Sequence, residues 1–215
     1  MLKVQHITTG YGKKQVLNDV SFEINKSEIV LLTGGNGSGK STVLKTICGL
    51  LKPWTDDGRV FFEENNITAL SISKMIRIGI VYVPQKKNVF EDFTIEENLL
   101  TFGCIYSKAE AKKRRDNVYN TIPLLAEMRK YTPFHLSEGQ KQLLAFGNVL
   151  MHSPKLVLFD EPFAGIDENN ADMLCGLIKK LQSENVTFLI VEHKKYLFDS
   201  FDKRVIKIDL GTIKE

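Results

Sequence analysis

Gly34-Gly35-Asn36-Gly37-Ser38-Gly39-Lys40-Ser41 fits the pattern G-x-x-x-x-G-K-[ST] and sits where that pattern has a mechanism. Before it, residues 28–32 (Glu-Ile-Val-Leu-Leu) read as a short buried strand. After it, residues 42–50 begin a helix with apolar side chains at Val43, Leu44, Ile47 and Leu50. A strand feeding a glycine loop that opens a helix gathers backbone N–H groups and the positive end of the helix dipole around one point. Such a point suits a polyphosphate. Lys40 would reach its β- and γ-phosphates, and the Ser41 hydroxyl would complete the coordination of Mg²⁺.

The surroundings of this loop are those of an ordinary globular protein. The chain has 215 residues, 43% apolar and 26% charged, enough for one large domain or a core plus a subdomain. A formal charge of +3, with the two signs interspersed, offers no footprint for nucleic acid. The run Lys112-Lys113-Arg114-Arg115 reads as a solvated helix face. Cys48, Cys104 and Cys175 lie far apart without C-x-x-C spacing, and read as small buried hydrophobes in a reducing compartment. Met1-Leu2-Lys3-Val4 carries no signal-peptide pattern, and no stretch approaches the roughly 18 apolar residues of a membrane span. The expectation is a protein soluble by itself, with any role at a membrane supplied by a partner.

Upstream of the loop the chain looks like β structure. Val20, Phe22 and Ile24 alternate with Ser21, Glu23 and Asn25, and Gly10-Tyr11-Gly12 reads as a turn between two strands. Taken alone, Tyr11 is a turn aromatic closing a hairpin, with a stacking platform for a purine base as the alternative. Downstream, residues 52–58 are a breaker-rich connection, 59–62 a strand and 71–78 a short helix. Residues 79–83 form a buried strand that stops at Pro84, which places Gln85 at the strand edge where α/β folds bind ligands.

From residue 88 to 152 the character is helical. Thr94-Ile95-Glu96-Glu97 has the form of a capping box, residues 108–120 are charged and helical, and Ser137 opens a third helix. Strands resume with Leu156-Val157-Leu158-Phe159, a run suited to a central parallel strand, ending in Asp160-Glu161. Residues 171–181 are helical, 186–191 a strand ending in Glu192-His193, and 205–208 with 212–213 a closing pair.

Two carboxylates at a strand tip have a role beside a phosphate loop. Asp160 would hold the water shell of Mg²⁺, and Glu161, turned differently, would orient a water for attack on the γ-phosphate. His193 repeats the placement at another strand end, where neutral imidazole would donate to a γ-phosphate oxygen. His6, His135 and His152 read as structural.

These residues resemble the nucleotide-binding subunit of ABC transporters, over essentially the whole chain. Leu136-Ser137-Glu138-Gly139-Gln140 matches the family's L-S-G-G-Q signature except at Glu138. Tyr11 fits the adenine-stacking aromatic, Gln85 the Q-loop glutamine, Ala164-Gly165-Ile166-Asp167 the D-loop and His193 the switch histidine, all in the family's order. The resemblance implies an α/β fold: a P-loop NTPase (RecA-like) core with an N-terminal antiparallel β subdomain and an inserted α-helical subdomain. Residues 1–87 and 153–215 would form the catalytic core and 88–152 the helical subdomain of a single ATPase domain. It implies ATP and Mg²⁺ as cofactors, with Glu161, His193 and Gln85 catalytic and Ser41, Gln85 and Asp160 around the metal. Nucleotide contacts would come from Tyr11, Val16, Asn36, Gly37, Ser38, Gly39, Lys40, Ser41 and Thr42. Ser137, Gly139, Gln140 and Asp167 would contact the nucleotide of an opposite subunit.

The family's mechanism stacks two such domains head to tail, as a homodimer or heterodimer, each ATP lying between one phosphate loop and the other signature segment. Ser137 opens a helix, so its hydroxyl and the neighbouring N–H groups would offer the γ-phosphate an anion site. Gln85 would connect closure to a separate transmembrane permease, which places the chain in the cytoplasm on the inner face of the cell membrane; no nucleic acid is expected. Glu138 sets a carboxylate beside that anion site. The ending at Glu215, without a regulatory extension, gives a minimal importer- or exporter-type ATPase. Residues 79–100 are similar to the ATPases of branched-chain amino-acid importers, and Asp160-Glu161-Pro162-Phe163-Ala164-Gly165 to those of lipopolysaccharide export.

Two other readings compete. A P-loop kinase or GTPase would use Arg114 and Arg115 as lid arginines, but it leaves residues 136–140 unexplained and no Asn-Lys-x-Asp element is present. An ABC-type ATPase acting on DNA or ribosomes would bring a long coiled coil or a second cassette, and this chain shows neither.

Overall fold

β1 (Leu2–Tyr11) and β2 (Lys14–Ile24) pair as a long antiparallel hairpin, in which Val20 and Ile24 are buried while Ser21 and Glu23 face solvent. Gly10 and Tyr11, expected in the turn, are strand residues paired with Gln15 and Lys14. Two residues, Gly12 and Lys13, are enough to reverse an antiparallel pair. The computed structural model describes residues 1–68, 70–86 and 88–214; Lys87, with which the expected first core segment ends, and Glu215 lie outside the described residues.

β3 (Ile29–Thr33) leads through the glycine loop into α1 (Lys40–Ile47). This helix starts and ends earlier than its apolar spacing suggests. The N–H groups of Leu50 and Leu51 both turn back to the Lys45 carbonyl, which satisfies the helix end and leaves Leu50 exposed. β4 (Arg59–Phe62) and β5 (Asn65–Asn66) join the first hairpin in a four-stranded antiparallel sheet, and α2 (Ile72–Arg77) precedes β6 (Ile80–Val83).

The described residues from 88 to 152 hold helices and no strand: α3 (Ile95–Phe102), α4 (Lys108–Thr121), α5 (Pro123–Glu127) and α6 (Glu138–Leu150). Thr94 and Glu97 close the expected capping box at α3. α5 was not legible as an element because one and a half turns carry no apolar period; Pro123 opens it, where a missing N–H costs nothing.

The chain then returns through β7 (Leu156–Asp160), α7 (Glu168–Ser183), β8 (Thr187–Val191), β9 (Lys203–Asp209) and β10 (Thr212–Lys214). The second sheet has the order β10-β9-β3-β8-β7-β6, parallel from β9 to β6, with β10 antiparallel at one edge. Its strands divide their side chains between two cores. Ile29, Leu31, Val157, Phe159, Phe188 and Ile190 face the helical block and α7, whereas Val30, Leu32, Leu156, Leu158, Leu189 and Val191 face α1 and the antiparallel sheet. Phe146 of α6 stacks on Phe159 at 5.7 Å, and Phe159 on Phe188 at 6.4 Å, each pair contributing about 0.5–1.5 kcal/mol beyond its burial. The helix that carries the signature segment is thereby fastened to the strand that carries the acidic pair.

Two surface expectations need correction. Lys112 and Lys113 are exposed, but Arg114 lies over the Tyr106 ring at 4.0 Å and bonds Glu110, the Met151 carbonyl and Ser153. Arg115 is bonded to Glu96 and Asp116. Arginine's rigid fork ties α4 to its neighbours where a lysine ammonium would stay in water. Of the cysteines, Cys48 is buried and Cys175 half-buried, but Cys104 is exposed in the turn after α3. His152 is buried beside Phe102 and Tyr106, and burial with the nearby Arg114 charge pushes its pKa down to about 4.

Candidate nucleotide site

The glycine loop is held from behind by the β9–β10 hairpin. Gly211 N–H donates to the Ser38 carbonyl (3.0 Å), and Asn18 N–H donates to the Gly211 carbonyl (2.9 Å). Gly34 has φ 156°, and a Cβ there would stand 2.1 Å from the Ile208 carbonyl oxygen, so the loop packs on β9 only without a side chain. Lys40 is 5% exposed and donates from Nζ to the carbonyls of Gly34 (3.1 Å) and Gly35 (2.9 Å). Its ammonium is folded over the loop it belongs to, which is the centre of the cradle.

β7 and β8 deliver the acidic pair and the histidine. Asp160 is buried and accepts from Ser41 Oγ at 2.9 Å and from Tyr82 OH at 3.3 Å. Burial pushes its carboxyl up from the ordinary 3.8, the two hydroxyls pull it back, and the Glu161 charge adds to the rise. Glu161 has φ 53°, a left-handed conformation that costs a non-glycine residue about 1–3 kcal/mol and swings its side chain away from that of Asp160. Its N–H donates to the Val191 carbonyl (2.9 Å). Its two oxygens are divided. Oε2 accepts from Gln85 Nε2 at 2.6 Å, while Oε1 faces His193 Nε2 at 3.3 Å.

Gln85 and Glu161 border a cleft of about 720 Å³ lined also by Tyr11, Val16, Asn36, Gly37, Gly39, Lys40, Ser41 and Thr42, with Lys14, Gln15 and Leu210. Asp160 and His193 stand behind this lining, the first bonded to Ser41 and the second facing Glu161. Tyr11 stands half-exposed at its rim, and its hydroxyl accepts from Lys45 Nζ at 3.3 Å. Ser38 is expected among the nucleotide contacts but does not line the cleft; its Oγ is buried and without a hydrogen-bond partner among the described residues.

Ser137, Gly139, Gln140 and Asp167 stand outside this cleft. Ser137 caps α6 in a full capping box: its Oγ accepts from Gln140 N–H (3.3 Å), and its own N–H donates to Gln140 Oε1 (3.0 Å). Those two N–H groups are therefore engaged, which narrows the expected anion site to the Ser137 hydroxyl and the N–H groups of Glu138 and Gly139. The Glu138 carboxylate is exposed and paired with Lys141 at 3.0 Å. Gly139 lies against the first turn of α7, where a Cβ would meet Asn170 at 2.6 Å; Asn170 in turn bonds Asp167, the N-cap of α7. Signature segment and D-loop are thus packed as one piece.

The two-sheet α/β architecture with its helical block is the one the resemblance implied, and a family model described as ABC transporter matches residues 17–164. The chain belongs to that family. It is 38% identical over 192 residues to the high-affinity branched-chain amino acid transport ATP-binding protein BraG of Pseudomonas aeruginosa, covering 89% of this chain and 82% of that protein. It is 32% identical to the lipopolysaccharide export system ATP-binding protein LptB of Acidithiobacillus ferridurans, covering 90% and 80%. A solved dimeric ATP-binding cassette in a post-hydrolysis state, bound to ADP and Pi, superposes with a TM-score of 0.86 at 27% identity, covering 100% of this chain and 97% of that one. This ABC protein is therefore an ATP-binding, ATP-hydrolysing transport subunit, and the kinase and GTPase reading falls away. Among the described residues no helix is long and apolar enough to cross a membrane.

Residues the sequence did not single out also shape the site. Tyr82 reads as one more apolar residue of a buried strand, yet its hydroxyl holds Asp160. Leu210, 88% exposed at the tip of the β9–β10 turn, borders the cleft only because that hairpin folds back onto the phosphate loop. Nothing in its local sequence signals this.

The buried Asp160 yields a pH prediction. A carboxyl raised in the folded state above its unfolded value costs stability wherever it is ionised in both, and the cost disappears as pH falls below the unfolded value. Asp160→Asn is therefore expected to raise the melting temperature of the nucleotide-free protein at neutral pH, with the gain shrinking as pH falls toward 3.8. Calorimetry across that range checks it; a variant less stable at neutral pH would contradict it.

Proposed function

We propose that ATP occupies the 720 Å³ cleft with its base on Tyr11 beside Val16 and its phosphates against Lys40 and the N–H groups of residues 36–42. Glu161 is the general base toward the attacking water, with Gln85 and His193 fixing its two oxygens. The observation that carries this reading is that one carboxylate is held between the Q-loop and switch residues at the mouth of a phosphate loop. Mg²⁺ fits the oxygen donors Ser41 and Asp160, which already meet at 2.9 Å, with Gln85 as a further oxygen ligand. Among the described residues no cluster of three or more His, Cys, Asp or Glu could hold a metal, so phosphate oxygens and water would complete the ion's shell. When bound, the ion neutralises charge on the transferring phosphoryl group.

Two copies, or this chain and a related ATPase, close head to tail so that Ser137, Gly139, Gln140 and Asp167 meet the nucleotide of the other subunit. The similarity to a dimeric ADP- and Pi-bound cassette supports this arrangement. Residues 1–87 with 153–215 act as the catalytic core and 88–152 as the lever that engages a membrane permease, which holds the protein on the cytoplasmic face of the membrane. Detergent extracts of the native host's membranes should yield the chain together with a multi-span protein; recovery on ribosomes or DNA instead would overturn the permease.

Glu138 fits a working signature segment, because Lys141 draws its carboxylate aside from the Ser137 hydroxyl and the N–H groups of Glu138 and Gly139. Charge at a helix N-terminus is worth about 0.3–1 kcal/mol, so Glu138→Gly is expected to leave ATPase turnover unchanged or raise it up to about fivefold. Far weaker phosphate release from the variant would contradict this.

A further inference from the structure

Glu192 belongs to neither the phosphate loop nor the Gln85–Glu161–His193 set, yet it is 3% exposed at the end of β8. Its carboxylate reaches two loops at once. Oε1 accepts from the N–H groups of His193 (2.7 Å) and Lys194 (2.9 Å), and Oε2 accepts from Phe163 N–H (3.3 Å) across the gap to the segment that follows Glu161. Lys194 closes the same circuit from the other side: its Nζ donates to the Phe163 carbonyl at 3.0 Å, not to the carboxylate. Phe163 is itself fixed, fully buried and edge-on to Phe198 at 5.5 Å.

We infer that Glu192 is a positioning residue for hydrolysis: it sets the distance between His193 and Glu161 by holding their two loops on one buried carboxylate. The proposal rests on the reading of Glu161 as the base. The physical reason lies in the backbone. Glu161 sits in a strained left-handed conformation, and its N–H is tied to Val191, the residue before Glu192. Such a conformation persists only where its surroundings over-determine it. The bonds from Val191 to Glu161 and from Glu192 to Phe163 fix the Glu161 turn on both sides. His193 is bound to the same carboxylate through its own N–H, so the two side chains are referenced to one point. A purely structural carboxylate would need partners, but not partners on both catalytic loops.

Two substitutions separate the links. Glu192→Asp keeps an acceptor within reach of the adjacent N–H groups but is one methylene too short for Phe163. Glu192→Gln keeps the length and turns an acceptor into a donor against an N–H. Misplacement of about 1 Å can cost on the order of 10²-fold in rate, so both variants are expected to lower kcat about tenfold to a hundredfold. KM and ATP affinity should stay within about twofold, because the cradle around Lys40 is untouched. Because the residue acts through Glu161, Glu192→Asp should cost less than about twofold when added to Glu161→Gln, read as single-turnover phosphate release. Parental kcat in Glu192→Asp, equal losses in both backgrounds, or a matching loss of ATP affinity would each overturn the proposal. Brisk turnover in Glu161→Gln alone would remove the base assignment and this proposal with it, a result distinguishable from the others.

Discussion

Glu161→Gln is expected to bind ATP as the parent does, to hydrolyse it about 10²- to 10⁴-fold more slowly, and to accumulate as an ATP-dependent dimer. The rate loss follows from the geometry. The amide keeps the shape of the side chain, and it keeps an oxygen to accept from Gln85 at 2.6 Å, but it cannot take a proton from water. The contacts proposed for the nucleotide lie elsewhere, on Lys40, Ser41 and Tyr11, and none of these side chains is hydrogen-bonded to the exchanged atom. Dimer accumulation follows by mass action: a ligand shared between two subunits favours the closed form for as long as it survives, and hydrolysis is what removes it. Phosphate release, equilibrium binding and sedimentation of the same preparation check the three parts. Parental turnover would take the base role from Glu161. A monomer at saturating ATP would leave the chemistry intact and sink the head-to-tail arrangement.

Much of this site was legible because its chemistry is written in short segments at strand ends. Residues 34–41, Asp160-Glu161 and His193 each follow a run of buried apolar residues, and parallel strands deliver their carboxyl ends to one edge of the sheet. The phosphate loop and the acidic pair, 119 residues apart at Ser41 and Asp160, meet because β3, β8 and β7 are neighbours. The hairpin of the first thirty residues and the helical block were readable from period and capping alone. The role of the signature segment was not. Ser137 to Gln140 reads only as a helix start, and its meaning came from resemblance. What stayed invisible depends on contacts between segments far apart in the chain. Tyr82 and Leu210 sit in local sequences with no chemical signal, and Glu192 looked like the neighbour of a histidine. The arginines misread as solvated gained their partners from α3 and the end of α6, which a charge run cannot announce.

The second large effect belongs to Lys40. Its ammonium is almost wholly buried and spends its hydrogen bonds on two carbonyls of its own loop, so the nucleotide-free cradle is already organised around a positive charge. A triphosphate arriving there offers oxygens of far greater negative charge than the Gly34 and Gly35 carbonyls, and the ammonium turns from one to the other on a flexible stem. Removing it at Lys40→Ala takes away one charge-assisted contact, worth about 1.5–3 kcal/mol, and ATP affinity is expected to fall about tenfold to a hundredfold. The loss should be larger for ATP than for AMP, because the proposed pose sets the lysine against the terminal phosphates and Tyr11 against the base. Fold stability should move far less, since the glycine loop keeps its tie from Gly211, which Asn18 holds in turn. Lys40→Arg keeps the charge but brings a planar fork into a space shaped for a compact ammonium, so it should rescue little. Calorimetric titration with both nucleotides decides the matter. An Ala variant that binds ATP within about twofold of the parent would mean that the N–H groups of the loop and the dipole of α1 carry the phosphate by themselves.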